Sequence, residues 1–136
     1  MIETFKGTVY PWQCDNFGHM NVQFYVARFD EANWHLLADC GITPDYFREN
    51  NKAIVAVEQN ISYHKELFSG DLILVRSKLM EISDKTMIYY HQMINCQTNE
   101  VASEMKLTAV HIDTRTRKAV PFSNEMMNHL IRKVVE

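Results

Sequence analysis

Glycine, proline and cysteine are scarce in this chain: four, three and three among 136 residues. So little glycine and proline excludes a collagen-like or low-complexity chain. Cys14, Cys40 and Cys96 are odd in number and have neither paired nor metal-like spacing, so they read as thiols of a reducing compartment and not as a disulfide scaffold. His35, His64, His91, His111 and His129 lack ligand spacing as well, and neither a metal nor a cofactor is expected. No long hydrophobic run is present: Ala53 to Val57 is far short of the roughly 20 residues that cross a bilayer. Positive charge is not in excess either. A net charge of -3 with acids and bases mixed argues against nucleic acid or an anionic membrane as a partner. Met1-Ile2-Glu3-Thr4 is not a basic stretch before an apolar run, so no signal peptide is expected and the chain reads as cytoplasmic.

What the chain does hold is a core. With 46% hydrophobic residues, it suits one domain spanning residues 1–136. From Val22 the apolar positions Tyr25, Val26, Phe29, Ala32, Leu36 and Cys40 recur at three and four, the period of a helix with a buried face. Asn21 is its expected N-cap, and Gly41 with Pro44 its stop, giving about 19 residues, longer than the mean of about 11. A helix that long, with Phe24 and Leu37 widening its apolar face, is expected to be largely wrapped. Strands are expected at Glu3 to Tyr10, Ala53 to Leu67, Leu72 to Ile82, Thr86 to Cys96 and Val101 to Asp113. In the second, alternation puts Val55, Val57, Gln59, Ile61 and Tyr63 on one side. The last three strands are joined by connections short enough only for antiparallel hairpins. Ser123 can cap a final amphipathic helix.

The densest chemistry lies at Asp15-Asn16-Phe17-Gly18-His19-Met20-Asn21, just before the long helix. A helix start has unpaired N–H groups and partial positive charge, so it polarises a carbonyl without a metal, and Asp15 would act on that carbonyl. Cys14 next to it has no evident base and reads as a small apolar residue.

The run from Tyr10 to Tyr25, with Asp15, Gly18 and Tyr25 in order, resembles the active-site signature of the 4-hydroxybenzoyl-CoA thioesterase family of acyl-CoA thioesterases. Tyr63 followed by Gly70-Asp71 resembles that family's strand ending in a Gly-Asp turn. The resemblance implies an α+β hotdog fold, with a long central helix wrapped by a curved, mainly antiparallel five-stranded sheet and a C-terminal helix. It implies hydrolysis of an acyl-CoA substrate to free acid and coenzyme A, with Asp15 as nucleophile or general base and the Val22 N–H polarising the thioester carbonyl. Some relatives carry a histidine at the position of Val22; here it is His19, which with Asn21 would hold the loop and orient Asp15 or the attacking water. Gly18, Asn21, Tyr25, Tyr63 and Trp12 are the expected substrate-binding residues. Lys65, Arg115, Arg117 and Lys118 are candidates for the coenzyme A phosphates. A homodimer or homotetramer is implied, with sites at the subunit boundary, and pairing removes the liability of a free sheet edge. Two other activities fit the same residues: a hotdog enoyl-thioester hydratase or dehydratase, and a non-catalytic acyl-CoA-binding protein.

Overall fold

The computed structural model describes residues 1–135. Its elements are β1 (Ile2–Thr8), α1 (Val22–Asp39), α2 (Pro44–Asn50), β2 (Lys52–Tyr63), β3 (Leu72–Ile82), β4 (Thr86–Asn95), β5 (Val101–Asp113) and α3 (Asn124–Val135). The strands form one antiparallel sheet in the order β1-β3-β4-β5-β2, curved around α1: the hotdog arrangement. β3, β4 and β5 are neighbours in space because their connections are too short for anything but hairpins. Among the described residues no helix is long and apolar enough to cross a membrane.

α1 begins where the sequence places it. The Asn21 side chain accepts the Gln23 N–H, and Gly41, at φ +83°, takes the left-handed turn that ends the helix. Its stripe Tyr25, Phe29, Ala32, Leu36 and Leu37 is buried. That stripe shares one core with Ile73, Val75, Leu79, Met87, Met93, Met105 and Leu107 from the inner face of the sheet. The helix is less wrapped than expected. It packs chiefly on β1 and β3, while Val22, Val26 and Trp34 are exposed and a cleft lined by Val26, Asp30, Asn33, Gln59 and Met105 separates it from β2. One buried stripe needs only one covering surface.

Three local features go beyond or against the sequence reading. Pro44 does not merely follow a stop. It opens α2 at the first helical position, where its missing N–H costs nothing, with Thr43 Oγ1 accepting the Tyr46 N–H at 3.2 Å. In β2 the strict alternation breaks at a bulge: Ala56 pairs with Ala109 but Glu58 with Thr108, leaving Val57 as the extra residue. Ala56, Gln59, Ile61 and Tyr63 therefore sit opposite the buried Ala109, Leu107, Met105 and Ser103, while Val55 joins the outward row with Val110. β2 also ends at Tyr63 instead of Leu67, because the His64 and Lys65 amides both converge on the Ala102 carbonyl and the ladder cannot continue.

A buried polar chain ties α1 to the sheet. His91, on β4, donates from Nε2 to Asn33 Oδ1 on α1, so its Nδ1 accepts from the Ser77 hydroxyl on β3; Ser77 in turn meets Thr4 on β1 at 2.7 Å. Burial pushes the His91 imidazole down to about 4 and keeps it neutral.

Candidate active site

The loop ahead of α1 is closed by its own backbone. The Gly18 N–H donates to the Asp15 carbonyl at 3.0 Å and the Asp15 N–H to the His19 carbonyl at 3.1 Å, with Gly18 at φ +92° making the reversal. Both carboxylate oxygens of Asp15 are engaged. Oδ1 accepts the Phe17 N–H at 2.9 Å and Oδ2 the Asn21 side-chain amide at 3.2 Å. Those bonds, Asn21 first and Phe17 second, hold the Asp15 carboxyl below the usual aspartate range, with nearby His19 adding to the effect. Asp15 is thus an anion at neutral pH. Asn21 does two things at once, since its Oδ1 also accepts the Gln23 N–H at 3.2 Å. The Val22 N–H, first of the helix, has no partner among the described hydrogen bonds and remains available to a ligand.

The segment leaving β2 packs against this loop. The Met20 N–H donates to the Leu67 carbonyl at 2.7 Å, and His19 bridges to Phe68. The expected turn at Gly70-Asp71 forms, with Gly70 at φ +92° and Asp71 Oδ2 accepting the Phe68 N–H at 2.8 Å. Between loop, helix start and segment lies a cavity of about 220 Å³, lined by His19, Met20, Val22, Tyr25, Tyr63, His64, Lys65 and Glu66. Burial pushes the Tyr25 phenol up to about 12, so it stays neutral, and its ring meets that of Tyr63 edge-on at 5.1 Å.

The expected residues thus divide into two groups. His19, Val22, Tyr25 and Tyr63 meet in the cavity wall. Asp15, Gly18 and Asn21 stand behind it in the loop, and Asp15 does not line the cavity of the single chain. Trp12 is on the loop's far approach, stacked on Tyr10 and edge-on to Phe24, away from the cavity lining. Of the phosphate candidates only Lys65 reaches the cavity, and it pairs with Glu100 at 3.3 Å. Arg115, Arg117 and Lys118 follow Asp113, which pairs with Lys52, while the cavity lies at the Tyr63–Ser103 end of the same strand pair. Ten residues at about 3.3 Å each put roughly 33 Å between the two ends. Glu66 is the residue the sequence did not reveal. Its signal was available only as a carboxylate between Tyr63 and the Gly70-Asp71 turn, and a strand running to Leu67 would have aimed it elsewhere. Cys14 Sγ lies 3.8 Å from the Tyr10 carbonyl and has no imidazole partner. Among the described residues no cluster of three or more His, Cys, Asp or Glu side chains could hold a metal.

A family model described as the thioesterase-like superfamily matches residues 9–130, a span that contains the loop, α1, the cavity and the whole of β2 to β5. The chain belongs to the thioesterase-like superfamily. It is 26% identical over 123 residues to the long-chain acyl-CoA thioesterase FadM of Escherichia coli (strain K12), covering 90% of this chain and 92% of that protein. It is also 26% identical over 116 residues to the L-carnitine dehydrogenase/betainyl-CoA thioesterase of Agrobacterium fabrum, covering 85% of this chain but 24% of that longer protein. Among solved structures, the probable thioesterase YbaW from Escherichia coli superposes with a TM-score of 0.83 at 25% identity, over 96% of this chain and 97% of that one. The superfamily and these relatives make the chain a thioester hydrolase.

Proposed function

We propose that this thioester hydrolase, acting as a single hotdog domain, cleaves acyl-CoA to a carboxylic acid and free coenzyme A, with Asp15 as nucleophile or general base and the Val22 N–H as the oxyanion donor. The observation that carries this reading is the Asn21 side chain, whose amide end fixes the Asp15 carboxylate while its carbonyl end caps the helix whose first N–H is open. Carboxylate and oxyanion donor are thereby locked in one rigid unit. A preorganised donor of this kind contributes roughly 3 to 4 kcal/mol to the transition state in other acyl-transfer enzymes.

In one route Asp15 attacks the thioester carbonyl carbon, the C–S bond breaks, and the coenzyme A thiolate leaves and is protonated. Water then hydrolyses the mixed anhydride and restores the carboxylate. In the other route Asp15 takes a proton from water as that water attacks, and the tetrahedral oxyanion at the Val22 N–H collapses to expel the thiolate. Both consume one water per thioester. His19 sits beside Asp15, where it orients the loop. Because Asp15 is only partly exposed yet outside the single-chain cavity, a second copy paired along the free β2 edge is taken to close the site.

The test is thiol release from a panel of acyl-CoA thioesters by the wild type and by Asp15→Asn. The variant should lose about 100-fold or more in kcat while still binding substrate. Near-full turnover by Asp15→Asn refutes the carboxylate's role, and binding without thiol release by the wild type would mark a non-catalytic acyl-CoA protein.

A further inference from the structure

Of the charged groups lining the cavity, two already have carboxylates of their own outside it. Lys65 Nζ lies 3.3 Å from Glu100, and His64 Nε2 lies 2.9 Å from Glu104. Glu66 meets only His19 among the described ion pairs, and at a longer distance. Its nearest cationic group is His19 Nε2 at 3.8 Å, beyond hydrogen-bond reach and charged only when that imidazole is protonated. The same cavity wall carries the exposed ring of Tyr63, with the buried Tyr25 ring set edge-on to it. An exposed aromatic ring and a carboxylate in one wall are the chemistry that holds an ammonium group lacking hydrogen-bond donors.

We propose that Glu66 sets the charge selectivity of the acyl pocket: an acyl group carrying a positive charge is preferred over a neutral group of the same shape, and one ending in a carboxylate is rejected. The inference rests on the acyl-CoA hydrolysis reading above and adds to it the class of acyl group. Glu66 takes no part in bond making. It acts by attraction on the charge of the acyl group, whereas Asp15 carries the chemistry.

Betainyl-CoA and tert-butylacetyl-CoA share a shape and differ in nitrogen against carbon at the branched centre; because the ammonium also activates the neighbouring carbonyl, the readout is the change in their ratio on substitution of Glu66, and malonyl-CoA supplies the anion. The wild type should show kcat/KM about tenfold higher for betainyl-CoA than for tert-butylacetyl-CoA, the size of a screened ion pair plus one cation–π contact, with malonyl-CoA about tenfold lower still. Glu66→Gln should lower the betainyl to tert-butylacetyl ratio about threefold or more by removing the ion pair, and Glu66→Lys should lower it further while raising malonyl-CoA relative to both. Because Glu66 is an exposed side chain, both variants are expected to keep the wild-type circular dichroism spectrum. Equal rates or a preference for the neutral thioester in the wild type overturns the proposal, as does a betainyl to tert-butylacetyl ratio that is unchanged in Glu66→Gln. Hydrolysis of hexanoyl-CoA or palmitoyl-CoA with none of betainyl-CoA also overturns it while leaving thioester hydrolysis standing. No thiol release from any of the five removes both readings together.

Discussion

Asn21 Nδ2 lies 3.2 Å from Asp15 Oδ2, so the residue that starts the long helix also holds the carboxylate in front of it. Cap and carboxylate are coupled. Asn21→Ala should cost about 1 kcal/mol of stability through the lost cap and also lower turnover. Asn21→Ser separates the two: a hydroxyl can cap but cannot reach Asp15 with an amide, so thermal stability should return while kcat stays depressed. Recovery of both in the serine variant would show that the Asn21–Asp15 bond is idle.

The acid side of the rate profile follows from the same contacts. A carboxyl held below the usual aspartate value of 3.8 keeps its charge as the pH falls, so the Asp15-dependent limb of kcat/KM should lie below that value. In Asn21→Ala the limb should move upward, because the largest stabilising contact on the anion is gone. Stopped-flow thiol release after brief pH jumps reads this before unfolding intervenes.

His91 controls stability over a higher range. Its imidazole titrates at about 4 in the folded chain against 6.5 for the free group. The unfolded state therefore binds the extra proton first. The contribution is fully present above pH 6.5 and is lost as the pH falls toward 4, amounting to about 3 kcal/mol. Asp15, Glu104 and Asp113, all held low, add losses of the same sign at lower pH. Urea unfolding at pH 7.5 and 5 should show the drop, and His91→Gln should flatten it at a lower overall stability.

Gly18 holds φ +92°, and an added Cβ would meet nothing within 4 Å, so any cost of substitution comes from the backbone alone. Asparagine tolerates positive φ and valine does not. Gly18→Asn should therefore retain much more turnover than Gly18→Val, which displaces Asp15 and the Val22 N–H together while the core stays folded. Equal activity in the two would make the turn incidental.

The edge formed by β2 carries Val57, 60% exposed at its bulge, next to a helix face with Val22 and Trp34 uncovered. Light scattering is expected to give twice the 16.0 kDa chain mass, or a multiple of that. Val57→Lys, which places a charge on the edge, should shift the population toward the monomer and lower turnover with it. An active wild-type monomer would contradict a shared site.

The sequence by itself determined what is written within a few residues: α1 from its three-four apolar period and the Asn21 cap, the antiparallel order of β3 to β5 from two short connections, and the turn at Gly18 between a carboxylate and a helix start. Such features depend on local dihedral preference and side-chain period, and these do not change with context. Tertiary structure decided the rest. The bulge at Val57 exists only in pairing with β5, some 50 residues away, and it alone determines which β2 side chains face the core. Two amides converging on the Ala102 carbonyl end β2 at Tyr63, and that early exit carries Glu66 to the cavity and leaves Asp15 behind the wall. Register and strand exit are settled by partners distant in the chain, so no period or spacing in a single segment can encode them.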